Sequence, residues 1–162
     1  MQVRAVNPRV VLVLAALALA AAAPISAQAP AGGTPVLVSG DTNIAGVVAE
    51  VTECKRKEGV LSLKVRFRNT GSTRTDFRLI DGRNHDDLYV TAAAKKYFVL
   101  RDSEKTPVSA PTDGFGILKV ELAPGGSWTW WAKYPAPPPE IKAVSYYLPI
   151  SPPLEDIPIS DL

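Results

Sequence analysis

The chain has 162 residues, 46% of them hydrophobic, and a formal net charge of +2. That length suits one domain of ordinary size, and the apolar fraction excludes a disordered polyelectrolyte. A single Cys excludes an intrachain disulfide scaffold and a Cys-based zinc cluster, and a single His excludes motifs such as HExxH that need two.

Arg4 and Arg9 open the chain, Val10 to Ala23 is an unbroken apolar run of fourteen residues, and small residues follow through Pro30. This three-part layout predicts a signal-peptide helix over residues 1–27 that is cleaved after Ala27. Cleavage after Ala29 is the alternative, although it would leave Pro30 at the new N-terminus. The apolar run is shorter than the roughly 20 residues a spanning helix needs, and no Cys near the cut offers a lipid anchor. Cleavage removes both arginines and leaves 16 Lys and Arg against 16 Asp and Glu. A neutral mature chain has no field directed at nucleic acid, so no nucleic-acid partner is expected, and membrane contact is expected only through the signal segment.

Residues 28–42 read as a flexible leader. A β-domain is expected over 43–162. Ile44 to Glu53 has Val47, Ala49 and Val51 on one face and is expected to pair with Val60 to Asn69 through a loop at Cys54–Gly59. In that second strand Leu61, Leu63, Val65 and Phe67 alternate with Ser62, Lys64, Arg66 and Arg68, the pattern of a sheet with one buried and one wet face. Further strands are predicted at 75–80, 88–91, 96–101, 117–122, 127–134, 141–148 and 156–160, with turns at Asn69–Ser72, Ala92–Lys95 and Ala123–Gly126. Eight of the fifteen prolines lie between Pro135 and Pro158, so Pro137-Pro138-Pro139 is a stiff connection and the tail is edge structure. Seven to nine short strands at this spacing predict an all-β antiparallel sandwich.

The run Leu63-Lys64-Val65-Arg66-Phe67-Arg68-Asn69-Thr70-Gly71 resembles the strand ending in Asn-Thr-Gly of many bacterial envelope domains with an immunoglobulin-like sandwich. Leu122-Ala123-Pro124-Gly125-Gly126-Ser127-Trp128 resembles their Pro-Gly turn into the penultimate strand, and Ala132-Lys133-Tyr134-Pro135 its exit. The resemblance spans roughly Asn43 to Ser160. It implies an immunoglobulin-like fold and an exported protein or accessory module of the cell surface, and it carries no catalytic residues. Where such domains often turn on Gly, this chain has Ala92-Ala93-Ala94.

Four features are candidate sites. In the loop Asp81-Gly82-Arg83-Asn84-His85-Asp86-Asp87, the side chains of Asp81, His85, Asp86 and Asp87 could hold a divalent cation. The spacing is not that of an EF-hand, and the plainer reading is a solvated turn. Cys54 lies beside Lys55, Arg56 and Lys57, which would lower its pKa, and an odd Cys in an exported protein can pair between chains. The alternative is a small half-buried residue. Trp128, Trp130, Ala132 and Tyr134 are expected in the core, which puts Trp131 on the wet face as a stacking or partner-binding residue, or packs it under a loop. Lys64, Arg66 and Arg68 form a cationic stripe, either a surface for an anionic polymer or an ordinary wet face neutralised by acids such as Glu50 and Glu121. No phosphate-cradling Gly loop or Gly-x-Ser-x-Gly elbow is present in the sequence.

The sequence thus predicts a monomeric, non-enzymatic, cofactor-free binding module of the bacterial envelope, whose partner is another envelope protein or a surface polymer. A periplasmic protein that binds a small ligand or divalent metal through residues 81–87 is the alternative.

Overall fold

The computed structural model describes residues 34–162; the expected signal peptide and the start of the leader lie outside the described residues. Among the described residues no helix is long and apolar enough to cross a membrane. The fold is all-β. Its strands are β1 (Val38–Asp41), β2 (Val47–Lys57), β3 (Val60–Asn69), β4 (Thr75–Ile80), β5 (Tyr89–Ala92), β6 (Lys95–Tyr97), β7 (Leu118–Leu122), β8 (Ser127–Pro135), β9 (Ala143–Tyr147), β10 (Leu154–Pro158) and β11 (Ser160–Asp161). They form a sheet ordered β1-β2-β3-β8, with β11 added on β2, a sheet ordered β10-β9-β5-β6, and a β4-β7 ribbon. Every pairing is antiparallel except β11 with β2.

The alternation read in β3 is realised in full. Leu61, Leu63, Val65 and Phe67 are fully buried, and across the ladder they face Tyr134, Ala132, Trp130 and Trp128 of β8. Trp130, Ala132 and Tyr134 join the core as expected; Trp128 is only partly buried and stacks on Phe67 at 6.4 Å. Burying Trp and Tyr requires partners for their polar tips. Trp130 Nε1 donates to Tyr146 Oη at 2.8 Å, and Tyr134 Oη donates to the same oxygen at 3.0 Å, which ties β8 to β9 through the interior.

The Asn-Thr-Gly end of β3 is a structural junction. Asn69 is buried; its Nδ2 donates to the carbonyls of Thr73 and Leu122, and its Oδ1 accepts from Gly71 N–H. Its main chain bonds Gly126 and Gly125 of the Pro-Gly turn, while Thr70 N–H reaches the Gly46 carbonyl. Side chain and main chain of Asn69-Thr70 together thus join three turns, and the polar atoms of the buried amide are partnered.

Three local expectations are corrected. Val38–Asp41, assigned to the leader, is β1, which hydrogen-bonds β2 despite a Ser-Gly-Asp sequence of poor strand propensity. The hairpin loop shrinks from Cys54–Gly59 to Glu58-Gly59, because the register skips Thr52 between Val51 and Glu53. A bulge of this kind reverses which alternate residues face inward, so Glu53 points outward opposite Lys64 while Cys54 and Arg56 turn into the core. The expected strand 96–101 stops at Tyr97, and the chain crosses to cover the edge of β8: Leu100 N–H bonds Lys133 O, Lys133 N–H bonds Val108 O, and Ala110 N–H bonds Trp131 O. An edge covered in this way is closed to strand addition.

Candidate functional site

The outer face of β2, β3 and β8 brings the stripe and Trp131 together. Trp131 stands opposite Lys64, which stands opposite Glu53, so an aromatic, a cation and an anion form one row across three strands. The indole is 38% exposed. Beside it is a shallow cleft of about 230 Å3 whose lining includes Glu53, Ser62, Lys64, Trp131 and Lys133.

The stripe is not a free cationic surface. Glu50 is 5% exposed and accepts from Arg66 Nε at 2.7 Å and from Arg68 Nε and Nη2 at 3.0 and 2.7 Å. Burial pulls the Glu50 carboxyl upward, but the hydrogen bonds and charges of Arg68 and Arg66 outweigh it, and the pKa lies below the usual carboxylate value. Glu53 does the same for Lys64 at 3.3 Å and Lys55 at 3.0 Å. Glu121 serves elsewhere: it sits on β7 and pairs with Lys119. Each cation of the stripe is thus ion-paired, but two carboxylates serve the four cations Lys55, Lys64, Arg66 and Arg68, so the face keeps a small positive excess.

The loop of residues 81–87 folds into turns and one 3-10 turn at His85–Asp87, and its acids part company. Asp81 pairs with Arg78, Asp86 with Arg101, and Asp87 accepts from Asn84 Nδ2 at 2.6 Å. His85 turns inward, 4% exposed, with its ring centroid 6.4 Å from that of Trp130. Its Nδ1 lies 3.2 Å from the Arg83 carbonyl, which can only accept, so Nδ1 carries the proton. Burial pushes the His85 pKa down, with Arg101 acting in the same direction and the Arg83 carbonyl opposing. Among the described residues no group of three or more His, Cys, Asp or Glu side chains comes together as a cation site. Asp81, His85, Asp86 and Asp87 were adjacent in sequence, but short turns splay consecutive side chains outward, and each acid finds a local donor instead.

Cys54 is also placed otherwise than its cationic neighbours suggested. It is 1% exposed, opposite Leu63 in the core. Burial pushes its thiol up to about 12; Arg56 lowers it and Glu53 raises it, and burial wins. The bulge at Thr52 is the cause, and a thiol so enclosed and so weakly acidic is inert toward exchange with a second chain.

Two features escaped the sequence. Arg56 is buried and fully engaged. Its Nε donates to Asp161 at 2.6 Å, Nη1 donates to the carbonyls of Pro137, Pro138 and Ile141, and Nη2 donates to Pro139 O. It therefore clamps the proline connection and β11. The second is the outer face of β9, β5 and β6, where Tyr147 stacks on Tyr89 at 4.6 Å, Tyr89 meets Phe98 at 6.1 Å, and Lys96 Nζ lies 4.2 Å above the Tyr89 ring. An open groove of about 450 Å3 runs beside this row, lined in part by Thr91, Lys96, Ser145 and Tyr147. Period two marked the strands, but the sequence does not say which strands become neighbours.

No family model matches the chain, no curated protein matches it, and no solved structure matches it.

Proposed function

We propose that the chain is an exported, non-enzymatic binding module of the bacterial cell envelope, an immunoglobulin-like sandwich that engages another envelope component through the face around Trp131. The observation that carries this reading is Trp131 itself. It is a large aromatic, 38% exposed, on the outer face of β8 beside Lys64, whose charge is paired with Glu53. Trp is enriched at the energetic centres of interfaces, and a rim of satisfied polar groups around it excludes water without opposing association. The layered β-sheets with one shared core support the sandwich reading, and the signal-like N-terminus supports export.

The test is crosslinking in intact cells that express the full precursor, with the Trp131→Ala variant alongside. The reading expects one reproducible envelope partner whose capture falls at least tenfold in the variant, at unchanged melting temperature. A processed wild-type protein recovered alone, or a partner captured equally by both, overturns it. N-terminal sequencing of the exported form checks the expected cut after Ala27.

A further inference from the structure

We propose that the pocket backed by His85 is a binding site for a phosphate-class oxyanion. The pocket holds about 340 Å3 and is lined by Arg83, His85, Arg101, Lys105, Thr106 and Thr112 together with Pro107 and Asp113. Three cationic side chains thus reach one cavity from two loops, Arg83 from one and Arg101 and Lys105 from the other. Guanidinium forks and a mobile ammonium arriving from different directions match the several acceptor oxygens of a phosphate group.

The cations are held in place. Arg83 lies across Gly116, where an added Cβ would fall 1.8 Å from Arg83 Cγ, so only glycine at 116 leaves room for the stem. Its Nη2 donates to Gly114 O at 3.0 Å, and His85 Nδ1 donates to its carbonyl. Arg101 Nη1 donates to the Lys105 carbonyl at 3.1 Å. Lys105 belongs to a turn in which Asp102 Oδ1 accepts from the N–H groups of Glu104 and Thr106. Arg83 and Lys105 both have left-handed backbones, φ 65° and 64°. That conformation is uncommon and costly for long side chains, and such residues concentrate at functional sites. Of the six non-glycine residues with positive φ among the described residues, these two are cations on the same cavity.

Two acids stand beside them: Asp86 pairs with Arg101 at 3.7 Å, and Asp113, on the cavity wall, accepts from the N–H groups of Phe115 and Ile117 through Oδ1. Three cations against two carboxylates leave this corner with an excess of positive charge. Among the described residues Lys105 Nζ has no carboxylate within salt-bridge distance, and the hydroxyls of Thr106 and Thr112 donate no hydrogen bond within the protein. Arg83 and Arg101 each spend one N–H on a backbone carbonyl and Arg101 also pairs with Asp86, so Lys105 is the cation of this cavity left without a carboxylate among the described residues.

The test is NMR titration of the folded domain with inorganic phosphate at low salt, with glycerol 3-phosphate in a parallel arm. Saturable shifts centred on residues 83, 101, 105, 106 and 112 are expected. Lys105→Gly removes the ammonium yet suits a positive φ, so it should weaken phosphate binding about tenfold, the loss of one charge-assisted bond, while the melting temperature holds or rises. Binding of the ester as well identifies a phosphate carried on a larger molecule, and rejection of it identifies the free ion; either supports the site. Absence of saturation, or affinity unchanged in Lys105→Gly with shifts spread over all surface cations, overturns it. Trp131→Ala should leave phosphate binding untouched, which keeps this result separate from the partner experiment.

Discussion

Glu50 is the carboxylate on which the ion pairing of Arg66 and Arg68 in the β3 stripe depends, and Glu50→Gln tests that dependence with little change of shape. In the wild type its two oxygens accept three hydrogen bonds, at 2.7, 2.7 and 3.0 Å, from two guanidinium groups. A bond to a charged group in a buried setting contributes about 1.5–3 kcal/mol. The side chains of Arg66 and Arg68 are 25% and 44% exposed, so solvent screens part of that. The amide keeps one acceptor and turns an NH2 toward a guanidinium that also only donates. We expect Glu50→Gln to cost about 2 kcal/mol at pH 7, well short of the 3–5 kcal/mol of a fully buried pair.

The pH dependence gives the sharper check. The folded Glu50 carboxyl titrates below its ordinary value of 4.5. Its contribution is therefore fully present above that value and is lost as pH falls through the folded pKa. Urea unfolding of both proteins at pH 7 and again near pH 3 should show the gap between them closing, because a protonated Glu resembles Gln. A gap below about 0.5 kcal/mol at pH 7, within the range of an ordinary surface substitution, or a gap unchanged at low pH, would refute the assignment of the stripe's charges to Glu50.

Two further outcomes follow from the interior and the turns. Tyr146→Phe removes the oxygen that accepts from both Trp130 and Tyr134, orphaning two buried donors at about 1–3 kcal/mol each. Tyr134→Phe removes only a donor and should cost about 1 kcal/mol; equal losses in the two variants by urea unfolding would show that the shared oxygen is not the hub. The β5-β6 turn runs through Ala93 and Ala94 with φ 47° and 60°, the two-residue turn that favours Asn-Gly. Ala93→Asn with Ala94→Gly should stabilise by about 0.5–1 kcal/mol, and a fall in melting temperature would count against this backbone.

What the sequence made legible was set by period and by turn chemistry. Leu61, Leu63, Val65 and Phe67 were identifiable as core because a two-residue period on a half-buried strand has one solution, and all four are buried. The same logic failed where the period broke. At Thr52 one unpaired residue reversed the faces of β2, and nothing in Val51-Thr52-Glu53 announces it. Cys54 and Arg56 were consequently read as loop residues, although one is core and the other is the clamp of the C-terminal segment. β1 was missed for a related reason. Ser39, Gly40 and Asp41 have turn propensities, and only backbone pairing to β2 makes them a strand.

The charged residues show why a site is harder to read than a fold. Lys64, Arg66 and Arg68 stand out because a strand sets like charges in a row, but a row of cations on a sheet is stable only if the neighbouring strand supplies acids, so regularity itself predicts ion pairing. Glu50 and Glu53 supply it. Arg83, Arg101 and Lys105 have no period and no common motif, and Arg83 sat inside a loop that stood out for its carboxylates. They converge because Gly116 opens space for one stem and a tight turn at Asp102–Lys105 aims another. Cations gathered by loops carry no built-in partner strand: Arg101 finds Asp86, while Lys105 has no carboxylate within salt-bridge distance among the described residues. In a β-protein of near-zero net charge, then, a binding site is better sought where loops bring unpaired charges together than where the strands display them most plainly.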